Sequence, residues 1–163
     1  MGSELCRAPQ VAEIADKLIV EHHERLAGVK IEYVFRRKHT KSHGRVVYGK
    51  CRKVGALAAF LAADPPPGEF VDCSDVALFV VEIAYDMWEM MTESERVALV
   101  DHELCHAAVT YDAEGDARLA IRGHDVEEFA EIIERRGLWT RELAEFGGSV
   151  QQRFGFDDEQ ERT

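Results

Sequence analysis

The stretch that most constrains this chain is Thr92 to Val109, TESERVALVDHELCHAAV, which holds His102, Glu103 and His106 in an H-E-x-x-H arrangement. On a helix, residues four apart lie one above the other, so two imidazoles at that spacing face the same way and can grip one Zn2+. The glutamate directly after the first histidine can reach a water on that ion. The local sequence favours a helix. Thr92 is a capping residue, and Glu95 stands three positions on, the pattern of a capping box. No Gly or Pro interrupts the run, and Val97, Val100, Leu104 and Ala107 recur at helical spacing as a stripe to be buried. The competing reading is an exposed, charged helix face carrying two surface histidines.

A catalytic zinc keeps three protein ligands and one open position, so a third ligand must return to this helix from elsewhere. His124 is the candidate. It follows a polar loop, Tyr111 to Asp116, and a short apolar run, Leu119 to Ile121, and it stands at the start of a helix expected over Asp125 to Arg136. Glu114, Asp116, Glu127 and Glu128 compete as carboxylate ligands, and Asp101, Asp116 or Asp125 are candidates to orient a ligand histidine from behind. Tyr111 lies a little over one helical turn past His106 and is a candidate oxyanion stabiliser, against a packing role. Cys105, between the two histidines, is expected to be a small buried hydrophobe.

The remaining elements alternate between helix and strand. Pro9 to Gly28 reads as a helix with Val11, Ile14, Ala15, Leu18 and Ile19 inward, and with His22 and His23 at the surface near its end. Lys30 to Arg37 alternates as a strand, with Ile31, Tyr33 and Phe35 on one face. A polar turn, Lys38 to Gly44, holds His39 and His43 and leads into a second strand, Arg45 to Cys51, making a hairpin. Gly55 to Ala63 is helical until DPPPG stops it. Val76 to Tyr85 is the most strand-like run and is apolar on both faces, as a central strand should be. A turn or short helical piece, Asp86 to Met91, leads into the H-E-x-x-H helix. The helix after His124 should bury Val126, Phe129, Ile132 and Ile133 and end at Gly137. A last helix, Leu138 to Phe154, should loosen at Gly147-Gly148, and the tail 156–163 should fray. The fold class that emerges is α+β, a small mixed sheet of about three or four strands packed on helices that include the H-E-x-x-H helix.

At 163 residues the chain suits one domain, with a core over about 9–155. A net charge of −11 argues against a nucleic-acid partner. Arg36 to Lys53 is nonetheless basic, which reads as solvated surface or as a contact for an acidic partner. The four cysteines, Cys6, Cys51, Cys73 and Cys105, form no C-x-x-C pair, so free thiols in a reducing cytoplasm are the expectation. The opening MGSELC lacks the apolar run of a signal peptide, and no stretch reaches the length of a membrane span.

The run LVDHELCHA, followed by LAIRGHDVEEF and RRGLW and preceded by VVEIAYDMW and YGKCRKV, resembles the putative phage metallopeptidase family, a small SprT-like group of zincins. The resemblance spans roughly Lys30 to Trp139. It implies a bacterial or phage-encoded zinc metallopeptidase acting on a protein or peptide, with His102, His106 and His124 as ligands and Glu103 as the catalytic glutamate. The chain departs from the larger SprT-like proteases of DNA–protein crosslinks in having no C-x-x-C and an acidic balance. It departs from metzincins because Ala107-Ala108-Val109 follows His106. A zinc-stabilised, non-catalytic binding module and a regulatory protease that cuts one partner are the alternatives to a general peptidase.

Overall fold

The computed structural model of the chain describes residues 4–71 and 78–154. These fall into two compact units, Met1–Arg122 and Gly123–Thr163. The first unit runs β1 (Leu5–Arg7), α1 (Pro9–His22), a 3-10 turn (Glu24–Leu26), β2 (Ile31–Arg36), β3 (Thr40–Ser42), β4 (Arg45–Val47), β5 (Gly49–Val54), α2 (Ala56–Ala63), β6 (Leu78–Ala84), α3 (Tyr85–Trp88), α4 (Glu93–His106), β7 (Ala107–Tyr111) and β8 (Ala117–Ile121). The second holds α5 (Ala130–Arg136) and α6 (Arg141–Phe154). The mixed α+β architecture is the expected one and suits a small zincin-like domain.

The main sheet has the order β1-β2-β6-β5. β6 pairs parallel with β2 and antiparallel with β5, so it is central, as its β-branched and aromatic run requires. Val76 and Ala77 of that run lie outside the described residues. Phe79, Val81 and Ile83 of β6 point to one face and are fully buried with Tyr33 and Phe35 of β2. Val11, Ala15 and Leu18 of α1 and Val100 and Leu104 of α4 close over them as one core. The opposite face of the sheet is half-buried, and there Glu82 pairs with Arg36. Arg37 pairs with Glu4, so part of the basic segment is neutralised within the chain.

Three local expectations change in this unit. Arg45 to Cys51 is not one strand: β3 and β4 close a hairpin over His43-Gly44, both at positive φ (49° and 78°). That backbone is a two-residue turn of the I′ kind, and it explains the Gly at its second position. The chain then leaves the hairpin at Tyr48, whose carbonyl accepts the Ala84 N–H at 2.8 Å, and β5 joins the main sheet. α1 ends at His22, and His23 is 4% exposed rather than a surface residue. α4 begins as expected, Thr92 Oγ1 accepting from the Glu95 N–H at 3.3 Å and Glu95 Oε2 from the Thr92 N–H at 2.8 Å. It stops at His106, however, three residues before the expected end. Ala107 is still buried, but as the first residue of β7, which pairs antiparallel with β8.

In the second unit the helix expected from Asp125 begins only at Ala130. The Glu128 carboxylate accepts from the Phe129 N–H at 2.8 Å and from Trp139 Nε1–H at 3.0 Å, which holds the preceding segment out of helical geometry. His124 is therefore not at a helix start, and Phe129 is 73% exposed rather than inward. α5 ends at Gly137, whose N–H bonds the Ile133 carbonyl at 2.8 Å. α6 runs through Gly147-Gly148 without a break, supported by the Thr140 hydroxyl at its start and an Arg141–Glu145 pair one turn on. The tail 156–163 and Cys73 lie outside the described residues. Among the described residues no helix is long and apolar enough to cross a membrane.

Candidate metal centre

α4 presents its two histidines side by side. His102 and His106 have ring centroids 5.0 Å apart, and their Nε2 atoms are separated by 3.3 Å. Two nitrogens each about 2.0–2.1 Å from one tetrahedral ion stand about 3.3–3.4 Å apart, so the pair has the spacing of two ligands to one metal. The tautomer of His106 follows from its other nitrogen. Nδ1 lies 2.7 Å from the Arg122 carbonyl oxygen, which can only accept. The proton is therefore on Nδ1, and Nε2 is turned towards His102. A backbone carbonyl behind a ligand imidazole is the usual device for fixing ring and tautomer. The Arg122 N–H also bonds the His106 carbonyl at 2.8 Å, so the residue directly after β8 grips His106 by ring and main chain together.

Glu103 lies on the same turn but faces inward and is 3% exposed. Its carboxylate packs against the backbone of β5: a Cβ on Gly49 would lie 2.6 Å from Glu103 Oε1 and 3.0 Å from its Cγ and Cδ. An isolated glycine in a strand often marks such a close approach. Burial pushes the Glu103 carboxyl up from 4.5 to about 7, opposed by His106 and by a hydrogen bond from the Cys51 backbone. Oε2 is buried with no hydrogen-bond partner among the described residues. A buried carboxylate with a vacant acceptor costs free energy in the fold alone. On the same helical turn as the two imidazoles, that vacancy suits the proton of a water. The donor set therefore fits a divalent ion. Cys51 itself is pushed up to about 12 by burial and by Glu103, so in the chain without an ion it stays a thiol.

The other candidate residues stand as follows. His124 opens the second unit, with Nδ1 3.4 Å from Glu127 Oε1, which makes Glu127 a partner of the ring. Tyr111 ends β7 and is 71% exposed; five residues of strand carry it about 16 Å along from His106, away from the pair. Glu114 and Asp116 lie in the β7–β8 turn, where their N–H groups bond Asp112. Asp101 does orient a histidine, but it is His23, at 2.6 Å. Cys105 is exposed, not buried. His39 donates to Asp86 at 2.9 Å. The Arg122 carbonyl, Gly49 and Cys51 were missed in the sequence; only Gly49, a lone glycine opening a strand, left a signal there.

The raised carboxyl has a consequence for protein stripped of metal. Between about pH 4.5 and 7 the folded state holds a proton on Glu103 that the unfolded chain has released. Stability is therefore greatest below pH 4.5, as far as this group contributes, and falls as pH rises through 7, by at most about 3 kcal/mol. Urea unfolding of chelator-treated protein at pH 5 and pH 8 should show the fall, and Glu103→Gln should flatten it. Equal pH slopes in the two proteins would show that Glu103 is not the titrating group.

A family model described as putative phage metallopeptidase matches residues 3–149. Neither the curated proteins nor the solved structures give a significant match.

Proposed function

The chain belongs to the putative phage metallopeptidase family, and from that premise we propose that it is a zinc-dependent peptidase in which His102, His106 and His124 hold the ion and Glu103 moves the proton. The observation that carries this reading is the pairing of two Nε2 atoms at 3.3 Å with a buried, unsatisfied Glu103 Oε2 on the same helical turn. A fold built for packing alone has no use for that vacancy.

Support for His124 comes from connectivity. Arg122 is bonded to His106 through both its N–H and its carbonyl, and His124 follows by two residues, a span of at most about 7 Å. Glu127 behind Nδ1 places the proton there and leaves Nε2 as the ligand nitrogen. Three imidazoles suit zinc, and Glu127 is then an orienting group rather than a fourth ligand. When bound, the ion polarises a carbonyl and makes water acidic enough to attack at neutral pH. Glu103 Oε2 takes the proton of the attacking water and passes it to the leaving amine. Gly49 and the Cys51 N–H hold the carboxylate in place during that transfer. The substrate is a peptide or protein.

Metal analysis of the purified chain beside His124→Ala tests the assignment. The expected result is one zinc per wild-type chain, and less than a tenth of that in the variant after dialysis against a mild chelator. Full retention by His124→Ala would remove His124 from the ligand set. An absence of metal from the wild type at every zinc concentration would remove the centre.

A further inference from the structure

Behind the metal helix lies a row of side chains that the chemistry above does not use. His23, 4% exposed, stands between two charged groups, with Nε2 2.6 Å from Asp101 Oδ1 and Nδ1 2.9 Å from Arg25 Nη1. A guanidinium only donates. Nδ1 must therefore accept, and the His23 ring carries its proton on Nε2 and gives it to Asp101. The other Arg25 nitrogen, Nη2, donates to the Leu104 carbonyl at 3.2 Å and reaches the Ala107 carbonyl at 3.5 Å. The Leu104 carbonyl lies in the last turn of α4, where it also takes the Ala107 N–H, and the Ala107 carbonyl lies one residue past the helix. α4 has no glycine or asparagine to close it; its C-cap is Ala107 in extended conformation. Arg25 fills that role from a distant part of the chain.

The same side chains invite another reading. His23, Asp101 and Cys105 each bring a ligand atom within 4.8 Å of the others', close enough to hold an ion. The tautomer opposes it. An ion on Nε2 would need the proton moved to Nδ1, where Arg25 already donates.

We propose that Arg25, His23 and Asp101 form a positioning relay for the metal centre: Arg25 ends α4 at His106, and His23, held as a neutral donor to Asp101, keeps Arg25 aimed at the helix end. The proposal rests on the metal-centre reading above. His106 is the last residue of the helix, so the position of its ring depends on how firmly the last turn is held. Were the last turn to fray, His106 would move relative to the helix and the 3.3 Å spacing to His102 would be lost.

Three variants of the full chain test this: His23→Gln, His23→Leu and Arg25→Met. Glutamine offers a carbonyl to Arg25 and an N–H to Asp101, the same polarity as the neutral ring, whereas leucine offers neither. Co2+ affinity is read by chelator competition, and ion stoichiometry by metal analysis. His23→Gln should stay within about threefold of wild type, while His23→Leu and Arg25→Met weaken binding about 10- to 100-fold. Amide exchange over 104–108 in chelator-stripped protein should speed up in His23→Leu and Arg25→Met but not in His23→Gln. That readout needs no ion, so it judges the relay even if the wild type binds no Co2+, the outcome that would defeat the metal reading instead. The relay is overturned if His23→Gln behaves like His23→Leu, or if Arg25→Met, where it folds, leaves both readouts unchanged. It is overturned equally if the wild type binds a second ion that His23→Gln loses.

Discussion

Glu103→Gln should abolish peptide hydrolysis while leaving the ion in place and the stripped protein more stable. The rate loss expected for removing a general base is about 10²–10⁴-fold. Zinc content should be unchanged, because the ligands are the neighbouring imidazoles. The stability gain follows from burial. Glu103 is 3% exposed and its Oε2 has no partner among the described residues, so above pH 7 the native state holds a charge it does not satisfy. A neutral amide of the same shape removes that charge, and its carbonyl still accepts the Cys51 N–H. Activity lost together with stability gained is the signature of a residue kept for chemistry. Chelator-reversible hydrolysis and urea unfolding above pH 7, run on both proteins, read the two effects. A variant retaining more than about a tenth of the activity would show that the proton moves elsewhere.

Gly49→Ala should act on the same carboxylate from the opposite side. The new Cβ would stand 2.6 Å from Glu103 Oε1 and 3.0 Å from Cγ. A surface glutamate would swing away, but this one is enclosed by β5 and the core, so the displacement passes to its reactive end. A shift of about 1 Å in a catalytic group costs about 10²-fold in rate. We expect that loss in kcat, with KM and zinc content little changed and a stability cost of about 1–3 kcal/mol from overpacking. Combined with Glu103→Gln, the alanine should cost little further activity, because both changes act through one carboxylate. Wild-type kcat in Gly49→Ala would show that the glycine is incidental.

Much of this arrangement was legible before any coordinates. The Thr92–Glu95 capping box, the inward stripe Val97, Val100 and Leu104, and the central place of β6 are short-range matters: period, cap chemistry and unbroken apolar runs. The H-E-x-x-H spacing put His102 and His106 on one face of a helix, and the helix is there. The misreadings share a cause. Ala107 continues the apolar helical pattern, yet it starts a strand. Asp125 to Phe129 reads as helix, yet Glu128 ties it to Trp139. His23 reads as a dipole-favoured surface residue, yet it is buried between Arg25 and Asp101. In each case a partner distant along the chain outweighed a local preference of a few tenths of a kcal/mol per residue.

By itself, then, the sequence determined which residues can share a helix face, where α4 begins, and that the sheet has an apolar central strand. Only the tertiary structure decided where α4 ends, which nitrogen of His106 is protonated, and that Glu103 is shut in against Gly49. Those outcomes depend on the Arg122 carbonyl, the Arg25 guanidinium and the backbone of β5. Hydrogen bonds and close contacts of that kind are set by where the folded chain brings distant segments together, and no local pattern of residues records them.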